Sequence, residues 1–322
     1  MRLLLVVNAS ASSVTARARV VIQKALAADH QVSMAETSRR GHAIRLAQGA
    51  AAEGVDVVVV LGGDGTLNEA ANGLIGTTTA LGVLPGGSTN VFARTIGMTN
   101  DPIEATGELL AALSESRIQA VNLGAVNGRY FLFHVGIGFD AVVVNQVDRR
   151  ATLKRMFGHA VFVYAAVSTW TRHYDRSAPR LRVHSEPGGP GGAAPPDIED
   201  GYFAICMNTN PYTFLGRRPL NAAPGTGLDT DLSLVTFRNL QLSTFLPLAA
   251  SALGDGRRLG RHPWVDRRQG QTALVVSGAQ PLPYQMDGEY MGESARLEIR
   301  SHRQALRLVV PLGPAEPGRA EA

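Results

Sequence analysis

The chain has 322 residues, 45% hydrophobic and 18% charged, with a net charge of +4 and one cysteine. That length suffices for two domains, each with a core; the lone Cys206 excludes an internal disulfide and fits a reducing compartment; and no apolar run reaches the roughly 20 residues of a membrane-spanning helix. Almost all the positive charge is arginine, which suits phosphates or anionic headgroups, whereas the aromatic residues, only 6%, are not interleaved with it, which argues against a nucleic-acid surface.

Residues 3–8 form the first apolar run. It is too short for a secretion signal and no small-residue cleavage site follows, so it reads as strand one. Residues 14–27 show helical periodicity, with Ser12 or Ser13 as the cap. Residues 31–36 alternate like a strand, 37–41 form a loop and 43–52 a second helix. Residues 55–61 are an apolar run broken only by Asp56, the pattern of a strand buried on both faces of a parallel sheet.

The turn Gly62-Gly63-Asp64-Gly65 follows. Glycine there tolerates positive φ and lets backbone N–H groups come close to a ligand. Thr66 and Glu69 stand at capping-box spacing and mark a helix start, with Leu67, Ala70, Ala71 and Leu74 as its buried face. Residues 80–84 are a further buried strand, and Pro85-Gly86-Gly87-Ser88-Thr89-Asn90 turns into another helix. Each junction offers free N–H groups and the positive end of a helix dipole, a disposition suited to phosphate. A P-loop is excluded, because it needs Lys before Ser or Thr and the only lysines are Lys24 and Lys154. The dinucleotide fingerprint does not fit residues 62–68 either. The β–α alternation implies a parallel sheet covered by helices, with ligand at the carboxyl ends of the strands. Those ends carry Asn8, Thr37, residues 62–66 and residues 86–90.

The pattern becomes mostly antiparallel near residue 120. Asn127-Gly128 joins residues 120–126 to 129–135 as a hairpin. Gly136-Ile137-Gly138-Phe139-Asp140 leads into a helix, with Asp140 as a candidate N-cap. Residues 159–170 are an apolar helix between Lys154-Arg155 and Arg172-His173. They read as a core helix or as the wall of an apolar groove. Residues 186–196 are a Gly- and Pro-rich loop. Strands are expected at 181–184, 202–207, 228–237, 273–277, 295–300 and 305–310, and a helix at 242–253. The arginine groups Arg149-Arg150-Lys154-Arg155, Arg217-Arg218, Arg257-Arg258-Arg261 and Arg267-Arg268 each read singly as a solvated face. Asp287-Gly288-Glu289 reads locally as a hairpin turn, or as a base with its partner, or as Mg²⁺ ligands. The expected architecture is an α/β N-terminal domain with a doubly wound parallel sheet (1–121), a mostly antiparallel β domain (122–312) and a disordered tail (313–322).

Four segments together resemble the diacylglycerol kinase catalytic family, which includes bacterial lipid kinases and sphingosine kinases. They are residues 59–69 (VVLGGDGTLNE), residues 84–93 (LPGGSTNVFA), residues 136–141 (GIGFDA) and the late Asp287-Gly288-Glu289. The GGDG turn alone is shared with NAD kinases and phosphofructokinases; the four segments in this order span nearly the whole chain. The resemblance implies a two-domain lipid kinase whose nucleotide domain is NAD kinase- or phosphofructokinase-like. ATP would lie on the glycine turns, with the lipid against the β domain. By position, Asn8 and Thr37 match residues around the nucleotide. Gly62, Gly63, Asp64, Gly65, Thr66 and Asn68 match the triphosphate loop, with Glu69 at its end. Gly87, Ser88 and Thr89 belong to the second turn, Ser88 matching a hydroxyl near the nucleotide. Asp64 would help hold Mg²⁺ and the phosphates. Asp287 and Glu289 match the acidic pair that includes the proton acceptor, and either is open as the base.

Two departures bear on this. The family's first strand ends in Asn-Pro, where this chain reads Asn8-Ala9. A structural Mg²⁺ site uses an Asp-Asp-Gly turn, where this chain reads Asp229-Thr230-Asp231, so Asp229 and Asp231 are candidates for a site left open. The implied partners are ATP, a lipid, the anionic inner face of the cytoplasmic membrane contacted peripherally, and a second copy as a homodimer; no nucleic acid is among them. Diacylglycerol, giving phosphatidic acid, leads among the lipids, with sphingoid bases next. A kinase for a soluble substrate such as NAD is the alternative. A nucleotide-binding regulator without turnover is disfavoured by the intact Asp64, Asp287 and Glu289.

Overall fold

Three apolar runs and one alternating strand build the sheet of the first unit. In the computed structural model, which describes residues 1–149, 159–186 and 194–311, the chain divides into Met1–Val121 with the stretch from Leu306 on, and Asn122–Ala305. The expectations for Arg150, Lys154, Arg155, most of the 186–196 loop and the 313–322 tail lie outside the described residues.

The first unit runs β1 (Arg2–Val7), α1 (Ala16–Ala27), β2 (Gln31–Glu36), α2 (His42–Ala52), β3 (Val57–Gly62), α3 (Asp64–Leu74), β4 (Ala80–Pro85), α4 (Val91–Thr95) and α5 (Pro102–Ser114). β1 lies between β2 and β3, and β3 between β1 and β4, all parallel. β3 and β4 are buried along their whole length, which is why both read as unbroken apolar runs. α2 packs on α3, and α1 on α5. The parallel registers bring Asn8, Thr37, Gly63 and Gly86 to one edge of the sheet.

Three start signals differ from expectation. α1 is capped by Thr15, whose hydroxyl accepts from the N–H of Ala18, rather than by Ser12 or Ser13. α3 begins at Asp64 with Gly63 as its N-cap and no capping side chain, so Thr66 and Glu69 form no capping box. α5 was not expected, although Asp101 caps it through Ile103 and Glu104 N–H groups and Pro102 occupies its first turn.

The second unit runs β5 (Ile118–Val126), β6 (Arg129–Phe131), β7 (His134–Ile137), α6 (Phe139–Asp148), α7 (His159–Ser168) with a π-helical turn (Thr169–His173), β8 (Leu181–Ser185), β9 (Ile198–Gly201), β10 (Phe203–Met207), β11 (Thr213–Leu215), β12 (Arg218–Leu220), β13 (Leu232–Phe237), α8 (Leu242–Ala252), a 3₁₀ turn (Leu259–Arg261), β14 (Val265–Gln271), β15 (Ala273–Met286) and β16 (Glu289–Val309). β14, β13, β10, β7, β15 and β16 pair in that order, antiparallel at each step. The fold is therefore the expected α/β unit followed by an antiparallel β unit. Asn127-Gly128 makes the expected hairpin, with Val126 opposite Arg129. Its second arm stops at Phe131 and resumes as β7, for a reason that lies in the late turn. Residues 295–300 and 305–309 belong to the single strand β16, which ends one residue short of expectation, and the chain from Leu306 groups with the first unit. There Leu308 pairs with Leu81 of β4 in parallel, and Arg307 donates to the Thr78 carbonyl at 3.0 Å.

Candidate active site

The two glycine turns of the first unit lie backbone against backbone. The Gly86 N–H donates to the Gly62 carbonyl at 2.8 Å. A Cβ on Gly86 would stand 2.9 Å from both Cα and N of Gly62, and one on Gly87 would stand 2.8 Å from Gly63 Cα. None of Gly62, Gly63, Gly86 and Gly87 has positive φ. The glycines are needed for closeness and not for a left-handed conformation, contrary to the sequence expectation. The left-handed residue is Asn90, with φ 49°. Its side chain accepts from the Gly87 N–H at 2.7 Å and donates to the Gly87 carbonyl at 2.9 Å.

Asp64 ties the turns together. Its two carboxylate oxygens accept from the N–H groups of Val91 and Phe92, each at 3.0 Å, and so cap α4 from the first turn. Arg94 of α4 also feels this carboxylate: burial pulls its pKa down and Asp64 pulls it back up. Arg94 was not singled out in the sequence; as the only cation in the helix after the second turn, it was findable. Asn8 sits beside the first turn, donating to the Thr66 hydroxyl at 2.9 Å. Thr37 follows β2, with its N–H on the Val7 carbonyl at 2.9 Å. Ser88 is exposed and Thr89 half-buried.

Two expected ligands point to other work. Glu69 accepts from the N–H groups of Gly41 and Ala43 at 2.6 and 3.2 Å. It supplies the N-terminal cap that α2 lacks at Gly41. Asn68 is buried inside α3, in contact with the Asn72 amide. The N-terminus of α3, without a capping side chain, thus stands over a turn built from four glycines and braced by Asp64. Such an end attracts anions through free N–H groups and the helix dipole.

The glycine contacts separate two variants. A Cβ on Gly63, at φ −85°, meets Gly87 Cα at an ordinary 3.4 Å. Gly63→Ala is expected to leave the thermal midpoint near wild type while weakening ATP by roughly tenfold or more, if phosphate approaches the backbone at this turn. Gly87→Ala is expected to lower stability by about 1–3 kcal/mol through overpacking. Calorimetric ATP titration beside thermal unfolding tests both; equal ATP affinity in Gly63→Ala and wild type would remove the phosphate from this turn.

In the second unit, Asp287 and Gly288 form the two-residue turn between β15 and β16, with φ of 49° and 78°, and Met286 is paired with Glu289. This is the mirror-image hairpin turn that Asp-Gly favours. Yet Asp287 is buried, and its carboxylate accepts from three consecutive N–H groups: Leu132 at 2.7 Å, Phe133 at 2.9 Å and His134 at 3.2 Å. Those donors lie at the break between β6 and β7, which is why the hairpin arm stops there. Glu289 is partly exposed on the β16 side of the turn.

A buried polar chain runs behind the turn. The Gly288 N–H donates to the Gln285 side-chain oxygen at 2.9 Å, and the Gln285 amide donates to Asp140 at 2.8 Å. The Tyr212 hydroxyl donates to the other Asp140 oxygen. Asp140 is therefore a member of this chain and not an N-cap, the cap of α6 being Gly138. Burial raises the Asp140 pKa, and the bonds from Tyr212 and Gln285 lower it in part. The His134 ring lies 4.3 Å from that of Tyr212.

Burial pulls His134 from 6.5 to about 3. A depressed folded pKa means that the unfolded chain takes the proton first. The His134 contribution is complete above 6.5 and is lost as pH falls toward 3. Stability against thermal unfolding is expected to fall below about pH 6.5, by up to roughly 1.4 kcal/mol per pH unit. Asp140 has the opposite sign: its contribution is present below the ordinary carboxylate value and lost as pH rises through its raised one. His134→Phe should remove the acid limb, and an unchanged limb would assign it elsewhere.

The candidate metal residues are not brought together. Among the described residues no three His, Cys, Asp or Glu side chains converge on one point. Asp231 is held by Arg303 at 2.6 Å and by the Ser301 hydroxyl at 2.9 Å, and Arg303 holds its pKa down. Asp229 is exposed. A second, structural Mg²⁺ at residues 229–231 does not fit these partners.

Comparison with known proteins bears on the family and the fold. A model of the diacylglycerol kinase catalytic domain matches residues 2–126. The protein named "Diacylglycerol kinase" of Bacillus subtilis (strain 168) is 33% identical over 303 residues, 92% of this chain and 91% of that protein. "Probable lipid kinase YegS-like" of Chromohalobacter salexigens is 32% identical over 169 residues, about half of either chain (51% and 52%). Among solved structures, one titled as a diacylglycerol kinase from Bacillus anthracis str. Sterne superimposes with a TM-score of 0.69 at 19% identity, covering 96% of both chains.

Proposed function

The chain belongs to the diacylglycerol kinase catalytic domain family and is a lipid kinase by kinship, and on that premise we propose that it transfers the γ-phosphoryl group of ATP to the free hydroxyl of diacylglycerol, giving phosphatidic acid. The observation that carries the proposal is the pair of fused glycine turns beneath the uncapped N-terminus of α3. Backbone N–H groups and Arg94 would take up the negative charge of the phosphates, in a reaction whose catalysis is mostly positioning and charge stabilisation.

Asp64 would touch Mg²⁺ that arrives on the triphosphate. Its carboxylate is held at the first turn by the N–H groups of Val91 and Phe92. Magnesium typically takes only one or two carboxylates beside phosphates and water, so a single aspartate beside the phosphate turn suits this ion. When bound, it would neutralise charge on the phosphates. Asn8 and Thr37 would border the nucleotide, and Ser88 and Thr89 offer hydroxyls from the second turn.

Glu289 is assigned as the base. Its partial exposure supports that role, whereas the Asp287 carboxylate is buried and committed to three donors. Glu289 would take the hydroxyl proton as the new P–O bond forms and the bond to the β-phosphate oxygen breaks. No helix among the described residues is long and apolar enough to cross a membrane. Access to the lipid would then be peripheral, at an anionic cytoplasmic face.

Incubation with labelled ATP and separate diacylglycerol, sphingoid base and NAD tests the reading. Label should appear in phosphatidic acid. Transfer to NAD with none to any lipid would sink it, and transfer to the sphingoid base alone would move the substrate while keeping the reaction.

A further inference from the structure

The arginine groups of the sequence do not all end as solvated surface. A cavity of about 400 Å³ in the second unit is lined by Pro224, Gly225, Arg257, Gly260, Arg261 and Arg267. Three guanidinium groups from two separate sequence groups thus face one volume. Strand alternation sorts the second group. Arg268 turns inward and is bound to Asp266, Ser185 and the Pro196 carbonyl. Arg267, on the opposite face of β14, turns to the cavity.

The cavity is built around its cations. A Cβ on Gly260 would stand 3.0–3.1 Å from Nε, Cδ and Cζ of Arg267, so the missing side chain leaves room for that guanidinium to lie across the 3₁₀ turn. Leu259 anchors the turn in the core. Gln269 holds the Pro224 carbonyl at 3.0 Å and so fixes the opposite rim. Among the described residues Arg261 and Arg267 have no ion-pair partner, and Arg257 has only Asp255 at 3.8 Å. Three like charges around one volume repel each other unless an anion enters, and guanidinium is the group best shaped for phosphate oxygens. The same segment carries two exposed apolar side chains, Leu253 at 41% and Trp264 at 45%. Tryptophan with one face wet is a side chain that favours the membrane–water interface.

We propose that the Arg257–Arg261–Arg267 cavity binds the phosphate of an anionic phospholipid headgroup, with Leu253 and Trp264 entering the interface beside it. The proposal rests on the lipid kinase reading for its choice of a lipid over a free phosphate. It adds a docking site distinct from the residues assigned to phosphoryl transfer.

Flotation with phosphatidylcholine vesicles, with and without phosphatidylglycerol, is the test. Wild type should float only with the anionic vesicles. The Arg261→Ala/Arg267→Ala variant should bind them roughly thirty-fold more weakly. Arg296→Ala/Arg300→Ala removes two exposed arginines of β16 and should bind like wild type. Equal loss in both variants, or none in either, would overturn the site. Arg261→Glu alone should also abolish flotation, which guards against misfolding of the double variant. Inorganic phosphate at millimolar concentration should not displace the vesicles; full displacement would make the ligand a soluble phosphate and overturn the headgroup assignment. Phosphoryl transfer to short-chain diacylglycerol in detergent should survive in the double variant. No transfer by wild type that still floats would count against the kinase reading and leave the docking site standing.

Discussion

Replacing Glu289 by Gln is expected to cut lipid phosphorylation by roughly 10² to 10⁴, the range for loss of a general acid–base group. The side chain is partly exposed at the start of β16, so the near-isosteric change should leave the thermal midpoint within a degree or two. ATP affinity should hold, because the glycine turns belong to the other unit. Single-turnover transfer with calorimetric ATP titration reads both quantities. A variant that keeps more than about a tenth of the rate would remove Glu289 as the base.

Asp287→Asn should fail in a different way. The carboxylate is buried and accepts three backbone N–H groups. An amide has one oxygen, so its NH₂ group must face donors, and at least one buried N–H loses its acceptor. Each such loss costs about 1–3 kcal/mol, more where a charged acceptor is removed. Against a usual total of roughly 5–15 kcal/mol, a loss of about 3–5 kcal/mol is large. The expected result is a lower denaturation midpoint, with activity falling in parallel with the folded fraction. Full stability with activity lost would reverse the two roles and make Asp287 the base.

Those contrasting outcomes mark where the sequence was legible and where it was not. The parallel sheet was legible because β3 and β4 are buried on both faces and cannot be anything but apolar. Asn127-Gly128 was legible because a two-residue mirror turn demands left-handed residues. Local composition could not say what a carboxylate faces. Asp64, Glu69, Asp140 and Asp287 all accept hydrogen bonds from groups 26 or more positions away, and no local pattern encodes such partners. The chain behind the late turn was hidden for the same reason, since it brings together His134, Asp140 and Gln285 from three elements and Tyr212 from a loop. α5 was missed although its Asp101-Pro102 start is a local signal.

The return of β16 to the first unit bears on the order of events during synthesis. Arg307 and its acceptor Thr78 are 229 positions apart. At a translation rate of about 5–20 residues per second, β4 waits roughly 10–45 s on the ribosome for that partner. During this interval one flank of an apolar parallel strand stays open, the kind of edge that recruits other nascent chains. The first unit therefore finishes last although it is made first.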